Sequence, residues 1–307
     1  MFASGREVLG RALAEGYAVG AFNFNNMEAL QGIIGAAQAS SSPVIVQTSE
    51  GAIQYAGLQY LVALARVASE QTDMPVVLHL DHGKDIEAIE GCLDAGYSSV
   101  MIDASDLPFE QNMERTARVV RIARNYGASV EAELGRLKGV EDLVSVEDKD
   151  AILVDPKEAE RFVRETGVDY LAPAVGTSHG AFKFKGSGKL DLDRLAEVER
   201  LCHIPLVLHG ASACPDWVVE EAQRYGANIA GAKGVPDDQI KKAVQRGVAK
   251  INVDTDLRLA GLAALRRVLS EHPEQFDPRK LFGPARDLIR RMCREKMALF
   301  GSENRVP

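Results

Sequence analysis

Pro75-Val76-Val77-Leu78-His79-Leu80-Asp81-His82-Gly83 opens as an apolar strand and stops at two ionisable side chains. Such a run is either a buried strand emerging into a site or a buried strand with polar residues in its closing turn. The surrounding sequence repeats the pattern. Short apolar runs at 18–22, 43–47, 76–80, 99–102, 129–134, 169–175, 205–208 and 249–253 are separated by stretches of helical periodicity. Strand-like runs alternating with helices imply parallel strands joined by right-handed crossovers. Eight such units in roughly 250 residues predict an α/β fold of the (β/α)8 TIM-barrel class. An open doubly wound sheet would need a Gly-rich turn after its first strand. This chain reads Asn23-Phe24-Asn25-Asn26 there. With no linker or internal repeat, residues 1–307 read as a single barrel domain, although the length alone would suggest two.

The hydrophobic share of 46% and charged share of 26% are those of a soluble globular protein. A net charge of −8 provides no overall basic field for nucleic acid or an anionic membrane, so any anionic ligand must be met by local groups. Cys92, Cys202, Cys214 and Cys293 form no C-x-x-C pair and read as small packed hydrophobes in a reducing compartment. No run approaches the ~18 apolar residues of a membrane span, and Met1–Arg6 lacks the apolar core of an export signal. The expectation is a cytoplasmic protein that binds neither nucleic acid nor membrane.

Two stretches depart from the repeat. Gly135–Asp155 is long and acidic, with Glu141, Asp142, Glu147, Asp148 and Asp150, and reads as a long mobile loop after the fifth strand, either a functional lid or a disordered segment. Pro284–Phe300 carries Leu288, Ile289, Met292, Met297 and Phe300 at helical spacing. It reads as an extra C-terminal amphipathic helix covering the barrel or a neighbouring subunit.

In a barrel the site lies at the carboxyl ends of the strands. Ser49-Glu50 stands at the second, Asp81-His82 at the third, Asp103 at the fourth, and Glu131 and Glu133 at the fifth. The sixth leads to His179, the seventh ends at His209, and the eighth at Asn252, Asp254 and Thr255. Three imidazoles and an open position make a catalytic zinc arrangement. His79 shares the Pro-x-Val-Leu-His pattern of His209 but lies roughly 10 Å below His82 at ~3.3 Å per residue. It reads as a hydrogen-bonded barrel histidine. No strand end delivers a lysine suited to Schiff-base chemistry. Gly210-Ala211-Ser212 after the seventh strand has the backbone N–H groups and small residues of an anion site. Lys183 and Arg258 lie near the same rim, either as its cations or as solvated surface charges.

Five segments carry a resemblance. They are Val77–Gly83, Glu131-Ala132-Glu133-Leu134-Gly135, Gly176-Thr177-Ser178-His179-Gly180, Leu208–Ser212, and Lys250-Ile251-Asn252-Val253-Asp254-Thr255-Asp256-Leu257-Arg258. In this order they resemble the class II, zinc-dependent fructose-1,6-bisphosphate aldolases, in their compact bacterial branch, over essentially the whole chain. The resemblance implies that His82, His179 and His209 hold Zn²⁺, with Co²⁺ or Fe²⁺ able to share the ligands. Asp81 would handle the C4 hydroxyl proton, and Glu141 on the lid would move the C1 proton, with Asp142 or Glu147 as alternatives. Gly180, Gly210, Ser212, Asp254 and Thr255 match the dihydroxyacetone-phosphate site, surrounded by Asn23, Ser49, Lys183 and Asn252. Asp103 and Glu133 match a second cation position, alongside a monovalent Na⁺ or K⁺. Arg258 matches a residue that reaches the second phosphate from a neighbouring subunit, implying a homodimer or homotetramer.

Three alternatives would leave different residues at these positions. Tagatose-1,6-bisphosphate aldolases tend to carry Asn-Val-Ala-Thr-Glu-Leu-Lys after the last strand, unlike Asn252–Arg258. A barrel hydrolase would bring a His-x-His pair from the first strand, where this chain has Asn23 and Asn25. A sugar-phosphate-binding regulatory protein without turnover would not need Asp81, three histidines and an acidic lid.

Overall fold

The computed structural model describes residues 2–135, 138–141, 144–146, 152–179, 190–229 and 234–306; for 138–141, 144–146, 178 and 179 it describes the backbone alone. The chain begins with α1 (Gly5–Glu15), β1 (Val19–Asn23), α2 (Met27–Ala39), β2 (Val44–Ser49), α3 (Glu50–Ala56), α4 (Leu58–Glu70) and β3 (Val76–Gly83). It continues through α5 (Ile86–Asp94), β4 (Ser99–Ile102), α6 (Phe109–Arg124), β5 (Ser129–Leu134), β6 (Lys138–Glu141), β7 (Val144–Val146), α7 (Pro156–Thr166), β8 (Tyr170–Pro173) and β9 (Ser178–His179). The last part holds α8 (Leu192–Cys202), β10 (Leu206–Leu208), α9 (Asp216–Arg224), α10 (Asp237–Val244), β11 (Val248–Val253), α11 (Thr255–Glu271) and α12 (Pro278–Phe300).

Eight parallel strands close in the order β1-β11-β10-β8-β5-β4-β3-β2, as the eight apolar runs predict. Residues of one parity, such as Val44, Val46, Leu78, Val100 and Val130, join the shell of helices in a single large core. The other parity fills the barrel. Its lower layers are apolar, with Val19, Ala21, Ile45, Val77, Tyr170, Ala172 and Val207, while its upper layers carry the polar groups described below. Helix α1, which the strand-and-helix pattern does not predict, crosses the amino-terminal end and inserts Leu9 and Ala12 against those lower layers. Gly5 starts this helix where a Cβ would stand 2.8 Å from the Tyr170 hydroxyl, so only glycine admits so close an approach. The barrel is thereby closed at one end.

The C-terminal helix is longer than expected. It starts at Pro278, capped by Asp277, and Pro284 lies inside it rather than at its start. It packs on α2 and α11, and the Phe300 carbonyl accepts from Ala18 N–H at 3.0 Å just before β1. Within Gly135–Asp155, read from sequence as loop, β6 and β7 pair antiparallel and β6 also pairs with β9, Gly139 opposite His179. Asp142 and Glu147 lie outside the described residues.

Candidate active site

Asp81 and His82 share the mouth because β3 is irregular there. Leu80 stands opposite Val100 and Gly83 opposite Ile102, so three steps on β3 match two on β4. A regular strand sends successive side chains to opposite faces, and a bulge removes that constraint. His82 absorbs the extra residue with a left-handed φ of 48°. At Gly83 a Cβ would meet the Met101 carbonyl at 2.6 Å, which reserves the bulge's exit for glycine.

The Asp81 carboxylate, 2% exposed, is held by three amides. Asn252 Nδ2 donates to Oδ1 at 3.0 Å, while Asn23 Nδ2 and Gln47 Nε2 donate to Oδ2 at 3.0 and 3.1 Å. Gln47 also donates to Asn23 Oδ1 at 2.7 Å, which orients that amide.

The partners fix the imidazole tautomers. Glu131 Oε1 lies 2.6 Å from His209 Nε2 and accepts its N–H, leaving the lone pair on Nδ1. That lone pair faces His82 Nε2 at 2.9 Å. His82 Nδ1 in turn lies 2.9 Å from Asp103 Oδ2. Burial works against a charge on His82, but Asp81, Asp103 and Glu133 outweigh it and hold the His82 pKa well above the ordinary histidine value. Burial lowers the His209 pKa despite the bond to Glu131, keeping that ring neutral. Asp103 is buried, yet His82 and the Ser105 hydroxyl and N–H keep its carboxyl below the usual range.

This geometry suits a metal. Two imidazole nitrogens meet at 2.9 Å, with Asp81 Oδ1 4.0 Å from His82 Nε2, so a cation can be shared at this point. Ligand atoms of Asp81, His82 and His209 lie within 4.8 Å of one another, as do those of His82, Asp103 and Glu133. Imidazole and carboxylate donors fit a divalent transition metal. The backbone of His179 lies in β9 and that of Glu141 ends β6, whereas Gly180 and Lys183 lie outside the described residues.

The remaining expected residues ring the mouth. Asn23, Ser49, Asp254 and Arg258 line a cavity of about 480 Å³. Ser49 caps α3 through its hydroxyl, accepting from Ala52 N–H at 3.2 Å. Arg258 pairs with Asp254 of its own chain at 2.7 Å, an i,i+4 bridge on the first turn of α11, which Thr255 opens. Gly210 has a φ of 60°, and Ser212 is buried in the turn that follows. Beneath this turn, Asp256 accepts from Ala213 N–H at 3.1 Å and Cys214 N–H at 2.8 Å, and pairs with the buried Lys296 of α12 at 2.8 Å.

His79 is the barrel histidine expected, with Nδ1 2.6 Å from Ser99 Oγ and Nε2 3.5 Å from Glu131 Oε2. One buried residue at this level was not foreseen. A lysine does stand just under the mouth: Lys250, fully buried, with Nζ 2.8 Å from Glu131 Oε2 and 2.7 Å from Asn252 Oδ1. It lies three residues before the end of β11 and two before Asn252, whose inward parity it shares. That parity was the signal available in the sequence, and the one for Gln47, two residues before Ser49.

A closed parallel barrel that gathers imidazoles and carboxylates on one point at its carboxyl mouth defines a metal-dependent TIM-barrel enzyme. The family model described as fructose-bisphosphate aldolase class-II matches residues 3–305. The chain belongs to that family. A fructose-bisphosphate aldolase of Helicobacter pylori J99 is 52% identical over 307 residues, and one of Thermus caldophilus 49% over 306, each covering 100% of both chains. Among solved structures, the YdjI aldolase of Escherichia coli K12 is 30% identical with a TM-score of 0.82, covering 100% of both chains.

Proposed function

We propose that the protein is an aldol lyase that reversibly cleaves fructose 1,6-bisphosphate to dihydroxyacetone phosphate and glyceraldehyde 3-phosphate. The observation that carries this reading is the shared point between His82 Nε2 and His209 Nδ1 with the Asp81 carboxylate beside it. His82, His209 and His179 would hold Zn²⁺, and Asp103 and Glu133 a second cation. When bound, such an ion acts as a Lewis acid toward the charge that develops on the ketol oxygens.

The chain's own groups supply the rest. Asp81 accepts the C4 hydroxyl proton; the pair left by the O–H bond forms the aldehyde C=O while the C3–C4 pair moves toward C2. Asn23, Gln47 and Asn252 aim the carboxylate that takes this proton, so that its oxygens need not reorganise during the step. A proton returned to the substrate's former C3, which is C1 of the dihydroxyacetone phosphate formed, by Glu141 of β6 in this reading, completes the balance. The Gly210–Ser212 turn, with Asp254, Thr255, Asn23 and Ser49, would seat the ketose phosphate, and Gly180 and Lys183 would complete its site. Arg258 would serve the second phosphate across a subunit boundary, making the protein a homodimer or homotetramer of single-domain chains. No helix among the described residues is long and apolar enough to cross a membrane, in keeping with a cytoplasmic enzyme.

The test is dialysis against a chelator followed by assay of fructose 1,6-bisphosphate and tagatose 1,6-bisphosphate with Zn²⁺, Co²⁺, Fe²⁺ or no metal. Cleavage that returns with metal and favours the fructose ester is the expected result. Metal-independent cleavage, or none with any metal, sinks the reading, and preference for the tagatose ester reassigns the substrate.

A further inference from the structure

We propose that Lys250 is a positioning residue that holds the metal-binding imidazole of His209 and the proton-accepting carboxylate of Asp81 at the same time. The inference rests on the proposed roles of those two residues. An ammonium group has three donors and no acceptor, so each of its partners must turn an oxygen toward it. Lys250 is fully buried, and two of its partners lead to different parts of the site.

The first arm runs through Glu131. Oε2 lies 2.8 Å from Lys250 Nζ, which leaves Oε1 to accept from His209 Nε2 at 2.6 Å. Neutral imidazole has one N–H, so fixing it on Nε2 directs the Nδ1 lone pair into the mouth. A carboxylate behind a metal-binding histidine orients the ring and raises its basicity. Glu131 is itself fully buried, and its ionised form is the one that Lys250 stabilises.

The second arm runs through Asn252. Its Oδ1 is 2.7 Å from Lys250 Nζ, so its Nδ2 is the end that reaches Asp81 Oδ1 at 3.0 Å. The reversed amide would set two donors against each other at Lys250 and two acceptors against each other at Asp81. The ammonium therefore decides which end of Asn252 the proton acceptor meets. Lys250 touches neither the acceptor nor the metal-facing nitrogen itself, which makes it a positioning residue and not a catalytic one.

The test uses the full-length protein with Lys250→Met, which keeps the stem and removes the charge. It also uses Glu131→Gln/Lys250→Met, which leaves no unpaired buried carboxylate where the single variant fails to fold. Metal-stripped proteins are titrated with Zn²⁺ against a chromophoric chelator, and with Co²⁺ by its absorption spectrum. Zinc affinity is expected to fall roughly 10- to 100-fold, the usual cost of losing an outer partner of a metal ligand, with an altered Co²⁺ spectrum. With metal saturating, kcat for fructose 1,6-bisphosphate is expected to fall by about tenfold or more while KM moves by less than about threefold, as for an interaction made in the transition state. A folded variant whose zinc affinity, Co²⁺ spectrum and kcat all match the wild type overturns the proposal, even if it melts earlier. A wild type that binds zinc but cleaves no sugar bisphosphate overturns the proposed activity instead, and leaves the zinc arm standing.

Discussion

His82 holds a left-handed backbone conformation one residue before the end of β3, at a φ that few side chains adopt. The bulge it forms is what lets Asp81 and His82 act on the same small volume. Asp81→Ala removes a carboxylate that three amides already aim, without touching the Glu131 and Asp103 bonds that hold the two imidazoles. A general base contributes about 10²- to 10⁴-fold, so kcat is expected to fall by that factor. Zinc content, measured by atomic absorption, should remain near one equivalent per site; near-normal turnover would remove Asp81 from the proton transfer. Asp81 and His82 were legible because an aliphatic run ended on them. Lys250 and Gln47 were not, because their meaning comes from register: Gln47 pairs with His79 and Asn23 across two strand boundaries, and no linear stretch contains that contact.

Elements carry the site further than its own residues do. Asp256, on the first turn of α11, ties the turn after β10 to α12 through Lys296, so a helix near the end of the chain braces the proposed phosphate turn. Burial disfavours the Asp256 carboxylate, but Lys296 and the Cys214 and Ala213 N–H groups outweigh it and lower its pKa in the fold. A lowered carboxylate pKa contributes stability above the unfolded value of about 3.9 and loses it as pH falls through the lower folded value. The stability gap between wild type and Asp256→Asn in urea unfolding should therefore be widest at pH 7 and narrow below about pH 4. A gap that does not change with pH would mean the pair contributes through packing alone. Among the helices, α2 and α4 through α10 were legible from apolar spacing. By contrast α3 is seven residues long and buries none of them, so it leaves no apolar stripe to read. Pro284 misled for a physical reason. Proline favours a first helical turn, yet here it is accommodated within a 23-residue helix.

The whole barrel was legible because its eight strands, buried on both faces, read as short continuous apolar runs. What the runs did not reveal is how the barrel is sealed, since α1 precedes the first of them. Leu9 is fully buried against the lower layers of the barrel, far along the strands from Asp81 and His82. Leu9→Ala should cost about 2–5 kcal/mol in chemical unfolding and leave KM and zinc affinity unchanged. A change in KM would show that the plug and the mouth communicate.

The described side chains around the mouth are weighted toward negative charge. Asp81, Asp103, Glu131 and Glu133 are buried around it, each no more than 5% exposed, and among the described residues there the ammonium of Lys250 is the lysine or arginine charge that faces them. Carboxylates crowded out of water repel one another unless cations come among them. Protons, as on His82, can meet part of that demand, and a divalent ion can meet more. A ligand that binds the fold and not the unfolded chain stabilises it in proportion to the logarithm of its free concentration. A metal held at this mouth would therefore steady the fold as well as serve the reaction, and its removal is expected to lower the midpoint of urea unfolding.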